Sequence, residues 1–370
     1  MKILHLLYES EGDSFGIGGV GMRAYEIYRR LKDRNEITLL CKKYPGAKDC
    51  ERNGLRHVFA GTESTSLTRT LLSYAYEAAR FVSKKGDEYD LIVEEFSPGV
   101  PTFLHAFTKR PVVLQVQGYT GALYFRKYNP LYASVLTIME QLRPQFYDHF
   151  IFINRQTPER FLLNLRGQRE IIPNGVSNDL LDMPFQEGEY VLYLGRIDLY
   201  GKGLDLLLSA YEKLSSWSSQ PRLVVAGDGR DMEEFRTALL KLPEGVRNNV
   251  ELTGWVSGDK KKEIIRRALF AVFPSRHEVQ PIAVLEAMAS GKPVVVSDIP
   301  EFSFVTSSGS GMSFTSGDAG SLAMSMKNLS EARQRSEFGL KGRERVREFT
   351  WDKVAEQYEK FLSSVSAQGE

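Results

Sequence analysis

At 370 residues the chain exceeds what one compact hydrophobic core of ordinary size accommodates, so two domains are expected. Lysine and arginine total 48 against 47 for aspartate and glutamate, and the formal charge of +1 excludes a bulk nucleic-acid binder. Cys41 and Cys50 stand without a CxxC or Cys/His cluster, which argues against a disulfide framework or a zinc site and for free thiols in a reducing, cytoplasmic compartment. The apolar run 1–8 is too short for a signal peptide and turns acidic at Glu9, and no window approaches the length of a membrane span.

Short apolar strands alternate with helix-length segments from the start. Residues 2–7 read as a strand, 21–31 as a helix and 36–41 as a strand. Residues 67–84 carry helical spacing, and 90–94, 112–116 and 149–153 are further strands. The Asn174-Gly175 turn and the polar, proline-containing stretch 182–188 mark a boundary. The pattern then restarts with strand 190–194, helix 204–214, strand 222–226, helix 232–241, strand 249–253 and helix 259–268. This alternation predicts an α/β chain of two parallel, doubly wound, Rossmann-like domains, 1–176 and 177–349. A last apolar-periodic stretch begins near Phe349, with Thr350 or Asp352 available as its N-cap, and is expected as a helix over 350–366.

The densest chemistry lies at 268–296. An apolar stretch halted by Pro274 reads as a buried strand, Pro281 suits a first helical position, Gly291 ends that helix, and 292–296 resume as a strand. Glu278 thus falls in the loop at the C-terminal edge of a parallel sheet, where open α/β sheets bind ligands, and Glu286 lies one to two turns into the following helix. Free N–H groups at such a helix start, those of Ile282 and Ala283 among them, favour an anion such as a diphosphate. A carboxylate beside them can grip a vicinal diol such as a ribose, through hydrogen bonds worth about 1.5–3 kcal/mol each.

Glu278-x7-Glu286 followed by Ala-Met-Ala-x-Gly-x-Pro-Val-Val resembles the signature of the retaining family-4 glycosyltransferases, enzymes of the two-domain GT-B fold. The resemblance runs from Gly18 to the final helix. It implies that Glu278 lies by the transferred sugar, that Glu286 binds the ribose, and that the C-terminal helix crosses back to the first domain. Pro281 departs from the glycine frequent at that position, at the loss of one N–H.

Other motifs follow in the family's order. Gly18 and Gly19, with Gly16 and Gly21 nearby, resemble its glycine loop, by which the first domain approaches the donor phosphates. Arg196 after one strand and Lys202 before the next helix form a cation pair that neutralises a diphosphate leaving group and stands in for a divalent metal, although the spacing between them is one residue longer than usual. Gly227, Gly254 and Val256 match positions near the nucleotide. Gln117 replaces the usual histidine near the reacting sugar, and amide cannot titrate near neutrality, so a positional role is expected there. The loop from Tyr119 to Pro130, with Tyr124, Arg126 and Lys127, offers aromatic faces and cations to a sugar or acceptor.

The family's implied activity is transfer of a glycosyl group from a nucleotide-diphosphate sugar, used as a substrate, to a hydroxyl of a glycan, lipid or small molecule, with no metal or other cofactor. A retaining double displacement needs two carboxylates about 5–5.5 Å apart at the anomeric carbon. With Glu286 committed to ribose, front-face substitution is the expected course. A nucleotide-sugar epimerase of the same fold and a scaffolding subunit without catalysis remain open. Gly16, Gly18 and Gly21 also meet the Gly-x-Gly-x-x-Gly spacing of a nicotinamide dehydrogenase, but Cys41-Lys42-Lys43 offers cations where that fold wants an acid. Donor sugar, base and oligomeric state are not encoded in any motif found, and peripheral contact with the inner face of a membrane stays open for a lipid acceptor.

Overall fold

The computed structural model describes residues 1–10, 18–64, 66–216 and 220–368, so Gly16 lies outside the described residues. The chain divides into one unit of Met1–Asn174 with Trp351–Glu370 and a second of Gly175–Thr350. Each is built on its own sheet.

In the first unit the strands are β1 (Lys2–Leu7), β2 (Glu36–Lys42), β3 (Cys50–Arg52), β4 (Leu55–Ala60), β5 (Leu91–Glu95), β6 (Val112–Val116), β7 (His149–Phe152) and β8 (Gln168–Ile171). Their order across the sheet is β3-β4-β2-β1-β5-β6-β7-β8, parallel throughout except for the β3/β4 hairpin. Ile3, Leu4, Leu6 and Leu7 are all buried, as expected of a strand covered on both faces, which reads as a continuous apolar run. Helices α1 (Gly19–Leu31), α2 (Leu67–Lys85), α3 (Tyr124–Lys127) and α4 (Pro130–Leu142) cover it.

The loop expected from Tyr119 onward is mostly helical. Asn129 caps α4 by accepting from the Tyr132 N–H at 3.0 Å, and Pro130 follows it with no N–H to lose. Behind α4, Arg143 is fully buried and reaches β5, where the Glu94 carboxylate accepts from its guanidinium, from the Thr102 hydroxyl and from the Tyr147 hydroxyl at 2.7 Å.

In the second unit β9 (Tyr190–Leu194), β10 (Arg222–Ala226), β11 (Val250–Gly254), β12 (Ala268–Phe273), β13 (Val294–Ser297) and β14 (Gly311–Phe314) form an all-parallel sheet ordered β11-β10-β9-β12-β13-β14. Its helices include α5 (Leu204–Leu214), α6 (Met232–Leu240), α7 (Gly258–Arg266), α8 (Ile282–Ala289), α9 (Ala319–Glu331) and α10 (Arg335–Val346). Strand order reverses between β9 and β12, and in the first unit between β1 and β5. At each reversal neighbouring strands send their loops to opposite faces, leaving a crevice at the C-terminal edge.

The last helix, α11 (Trp351–Ser366), returns to the first unit and packs on α1. Val354, Ala355, Tyr358, Phe361, Leu362 and Val365 form its buried stripe at helical spacing. Arg30 to Asp352 at 2.5 Å and Asn35 to Glu359 at 2.8 Å fix its position along α1.

Removing the buried Glu94 strands the Arg143 charge without its partner. Glu94→Ala should therefore lose about 3–5 kcal/mol in urea unfolding, whereas Glu26→Ala, breaking the more exposed pair with Arg30, should lose about 1 kcal/mol or less.

Candidate functional site

On the β9 side of the second unit's switch point the ends of β9, β10 and β11 are tied together. Gly195 N–H donates to the Ala226 carbonyl at 3.0 Å, Gly227 N–H to the Gly254 carbonyl at 2.9 Å, and Ile197 N–H to the Asp228 carbonyl at 2.9 Å. A Cβ on Gly227 would stand 1.8 Å from the Gly195 carbonyl oxygen, so only glycine permits this approach. The side chain of Val256 is buried in the core beneath this rim.

The loop after β9 carries the two expected cations. Arg196 is exposed, and its guanidinium has no hydrogen bond or ion pair with the described residues; its carbonyl is held by the Tyr193 hydroxyl at 2.7 Å. Asp198 closes the loop, its side chain accepting from Gly201 N–H at 2.6 Å and its carbonyl from Lys202 N–H at 3.1 Å. Gly203 has φ 67° with its Cβ position 2.0 Å from the Pro274 carbonyl oxygen, which seats this loop directly against the end of β12. Lys202 Nζ consequently lies 2.5 Å from Glu278 Oε1, which also accepts from the Ser275 hydroxyl at 2.9 Å. The longer Arg-to-Lys spacing is absorbed by this turn.

Arg276, which sequence reasoning passed over, is the clamp between the two loops. Its guanidinium donates to both Asp205 oxygens at 2.7 and 2.8 Å and to the Tyr200 carbonyl at 2.8 Å, and lies 4.4 Å from the Tyr200 ring centroid. An arginine just past a strand and an aspartate in the first turn of a helix were the available signals.

Pro281 is the N-cap of α8 rather than its first helical residue, and its carbonyl accepts from Val284 N–H at 3.1 Å and Leu285 N–H at 3.4 Å. The N–H groups of Ile282 and Ala283 meet no acceptor among the described residues and remain available to an anion. The other side chains from Val284 to Ala289 are apolar and buried, so Glu286 is a carboxylate set in an apolar helix. Its Oε1 accepts from Lys261 Nζ, on α7, at 2.5 Å. Lys261, also missed, leaves the second carboxylate oxygen for a ligand.

At the switch point of the first unit, Gly18 is the N-cap of α1. Gly18 and Gly21 both donate their N–H groups to Glu9 Oε2, at 2.8 and 2.9 Å. A carboxylate of the chain itself therefore sits at the positive helix end where phosphate approach is expected, while Gly19 and Val20 N–H find no acceptor among the described residues.

Gln117 gives its amide N–H groups to both oxygens of Glu95, each at 3.0 Å. Glu95 is buried and also accepts from Gln115 and faces His5 Nε2 at 3.2 Å. Because a carboxylate only accepts, the amide orientation of Gln117 is settled and its carbonyl oxygen is the group left for a ligand hydroxyl.

The following loop is organised from within by α4. Glu140, buried, accepts from Thr120 N–H at 2.8 Å, Gly121 N–H at 2.7 Å and the Tyr124 hydroxyl at 3.2 Å. Burial pushes the Glu140 carboxyl up, against the downward pull of those donors. Tyr124 is buried with Ala133 and Leu136, which corrects its expected surface contact into a structural one. Tyr119 is half-buried, its hydroxyl accepting from Gln141 at 2.9 Å, and Arg126 is exposed.

Two family models cover most of the chain. Residues 17–180 match the model described as Glycosyltransferase Family 4, and 188–332 the model described as Glycosyl transferases group 1. A phosphatidyl-myo-inositol mannosyltransferase of Mycobacterium leprae is 32% identical over 207 residues, 54% of this chain and 54% of its own length. The chain spans about half the length of the first curated relatives it matches. Among solved structures, a sucrose-phosphate synthase of Thermosynechococcus elongatus superposes with TM-score 0.79 at 20% identity over 100% of both chains. An Anabaena protein crystallised in complex with UDP and glucose gives TM-score 0.74 at 18% identity over 98% of this chain and 100% of its own.

If Arg276 holds the loop at 196–203, Arg276→Ala should loosen it locally. Amide hydrogen exchange at 199–202 should quicken about five-fold, corresponding to about 1 kcal/mol, with exchange in β9 and β12 unchanged.

Proposed function

We propose that this chain, which belongs to the family-4 glycosyltransferases of the GT-B fold, moves a glycosyl group from a nucleotide-sugar donor to a hydroxyl acceptor with retention at the anomeric carbon and without a metal. One observation carries the reading: Lys202 and Glu278, 76 positions apart in the chain, meet at 2.5 Å at the switch point. Beside them stand an exposed Arg196 and the α8 start with two unmatched N–H groups.

These groups divide the work between nucleotide and leaving group. Glu286, anchored on one oxygen by Lys261, takes the ribose diol with the other. Arg196, Lys202 and the Ile282 and Ala283 N–H groups face a diphosphate, whose charge grows as its bond to the anomeric carbon breaks; donors fixed in advance favour that charged state over the ground state. The acceptor oxygen bonds to the same face of that carbon, and its proton passes to the departing phosphate oxygen, so no protein base is required. Glu278 holds Lys202 and faces the sugar hydroxyls. On the first unit, Gln117, aimed by Glu95, has its carbonyl oxygen left for a ligand hydroxyl, and Tyr119 and Arg126 are the candidates for acceptor contact. At the Gly18 and Gly19 loop of the same unit, the Gly19 and Val20 N–H groups are the ones left for an anion, since Glu9 already takes those of Gly18 and Gly21.

The Anabaena neighbour crystallised with UDP and glucose supports a nucleotide-sugar donor, and the mycobacterial relative's name supports a hexosyl transfer.

A panel of UDP, GDP and ADP in thermal shift tests donor recognition. One of them at a hundred times its dissociation constant should stabilise the protein by about 2.7 kcal/mol, and Glu286→Gln should erase most of that shift. With the matching sugar nucleotide, Arg196→Ala should lower kcat about 10²-fold or more, and NMR of the product should show the donor's own anomeric configuration. An inverted product, or transfer untouched by Arg196→Ala and Lys202→Ala together, contradicts the mechanism.

A further inference from the structure

Helix α4 is built the wrong way round for a soluble protein. Its polar residues Glu140 and Gln141 are buried, while Leu131, Val135, Ile138 and Leu142, spaced to share one face, are exposed, Leu131 to 79%. The face continues at either end into exposed Phe125, Tyr128 and Phe146. With 13 residues the helix presents about 20 Å of such surface.

Two features say what covers it. From Phe125 to Phe146 the charged side chains are Arg126, Lys127, Glu140 and Arg143; the last two are buried, so the exposed charges are two cations at one end of the apolar face. The hydroxyls along the helix are also taken up by its own backbone, Ser134 donating to the Pro130 carbonyl at 2.8 Å and Thr137 to the Ala133 carbonyl at 2.9 Å. A protein partner normally uses about one hydrogen bond per 100–200 Å² of interface, and this face has almost none to give. Hydrocarbon asks for none, and cations with aromatics at the margin suit an anionic headgroup layer.

We infer that the outer face of α4, with Phe125, Tyr128 and Phe146, seats this protein on a bilayer surface containing anionic lipid. Among the described residues no helix is long and apolar enough to cross a membrane, and the contact inferred is with the bilayer surface. The inference stands apart from the transfer chemistry and goes beyond it.

Flotation with vesicles of phosphatidylcholine, alone or mixed with phosphatidylglycerol, tests it on the full chain. The protein should float with the mixed vesicles and at least ten-fold less with the neutral ones, and added salt should weaken that binding. The double variant Leu131→Asp, Ile138→Asp should lose vesicle binding at least ten-fold while keeping its circular dichroism spectrum; Leu131→Ser, Ile138→Ser serves as the milder pair should the first misfold. Absence of vesicle binding, or equal binding to both vesicle types, overturns the inference. So does a dimer in light scattering that these substitutions convert to monomer, which would assign the face to a second copy. A nucleoside-diphosphate thermal shift run alongside separates the outcomes: a retained shift without vesicle binding removes the bilayer contact and leaves the donor site standing.

Discussion

Neighbouring strands β9 and β12 lie parallel, and the connection after one departs over the opposite face from the connection after the other. Everything at the candidate site follows from the crevice this leaves. Two loops that share no local sequence are delivered to its two banks, one with Arg196 and Lys202, the other with Ser275, Arg276 and Glu278. The Lys202 to Glu278 contact and the Arg276 to Asp205 pair then span the gap. Charge opposition across the crevice fixes Lys202 against Glu278 and Arg276 against Asp205, so the two loops are held at a set separation.

A second rule runs through both units: buried carboxylates are satisfied by donors whose remaining atoms are thereby aimed. Glu286 is steadied by Lys261, Gln117 is turned by Glu95, and the backbone of Thr120 and Gly121 is fixed by Glu140. Each such group is costly to bury alone, so its partners cannot wander. The result is a set of polar atoms whose geometry is held by chemistry one step behind them. Glu9, half-buried, plays a related part at α1, where it accepts from the Gly18 and Gly21 N–H groups and stabilises the helix start.

Local pattern was enough for the strands around both switch points and for the Glu278 to Glu286 run, because a buried parallel strand and a proline-capped helix each leave a contiguous signature. It was not enough for Arg276, Lys261 or Glu95. Their partners are Asp205, Glu286 and Gln117, each more than twenty positions away, and no periodicity encodes a pairing created only by sheet order. The edge strand β8, with the sequence Gln-Arg-Glu-Ile, and the short β14 also lack a hydrophobic run, since an edge strand gains half its environment from solvent. Pro281 shows how narrow such errors are: one position separates the N-cap it occupies from the first helical residue it suits, and the free N–H groups of Ile282 and Ala283 are the same in both.

Helix α4 resisted reading for a different reason. Its sequence is apolar on nearly every side, and periodicity alone assigns Leu131, Val135, Ile138 and Leu142 to a core as readily as to a surface. What decides is the inner face, where Glu140 must find its three donors and Arg143, one turn on, must find Glu94. Those demands are directional and cannot be met from solvent, so they fix the rotation of the helix about its own axis. The apolar residues are then carried outward as a consequence. A helix locked in this sense by buried polar contacts connects the segment at 119–124 rigidly to whatever meets its outer face.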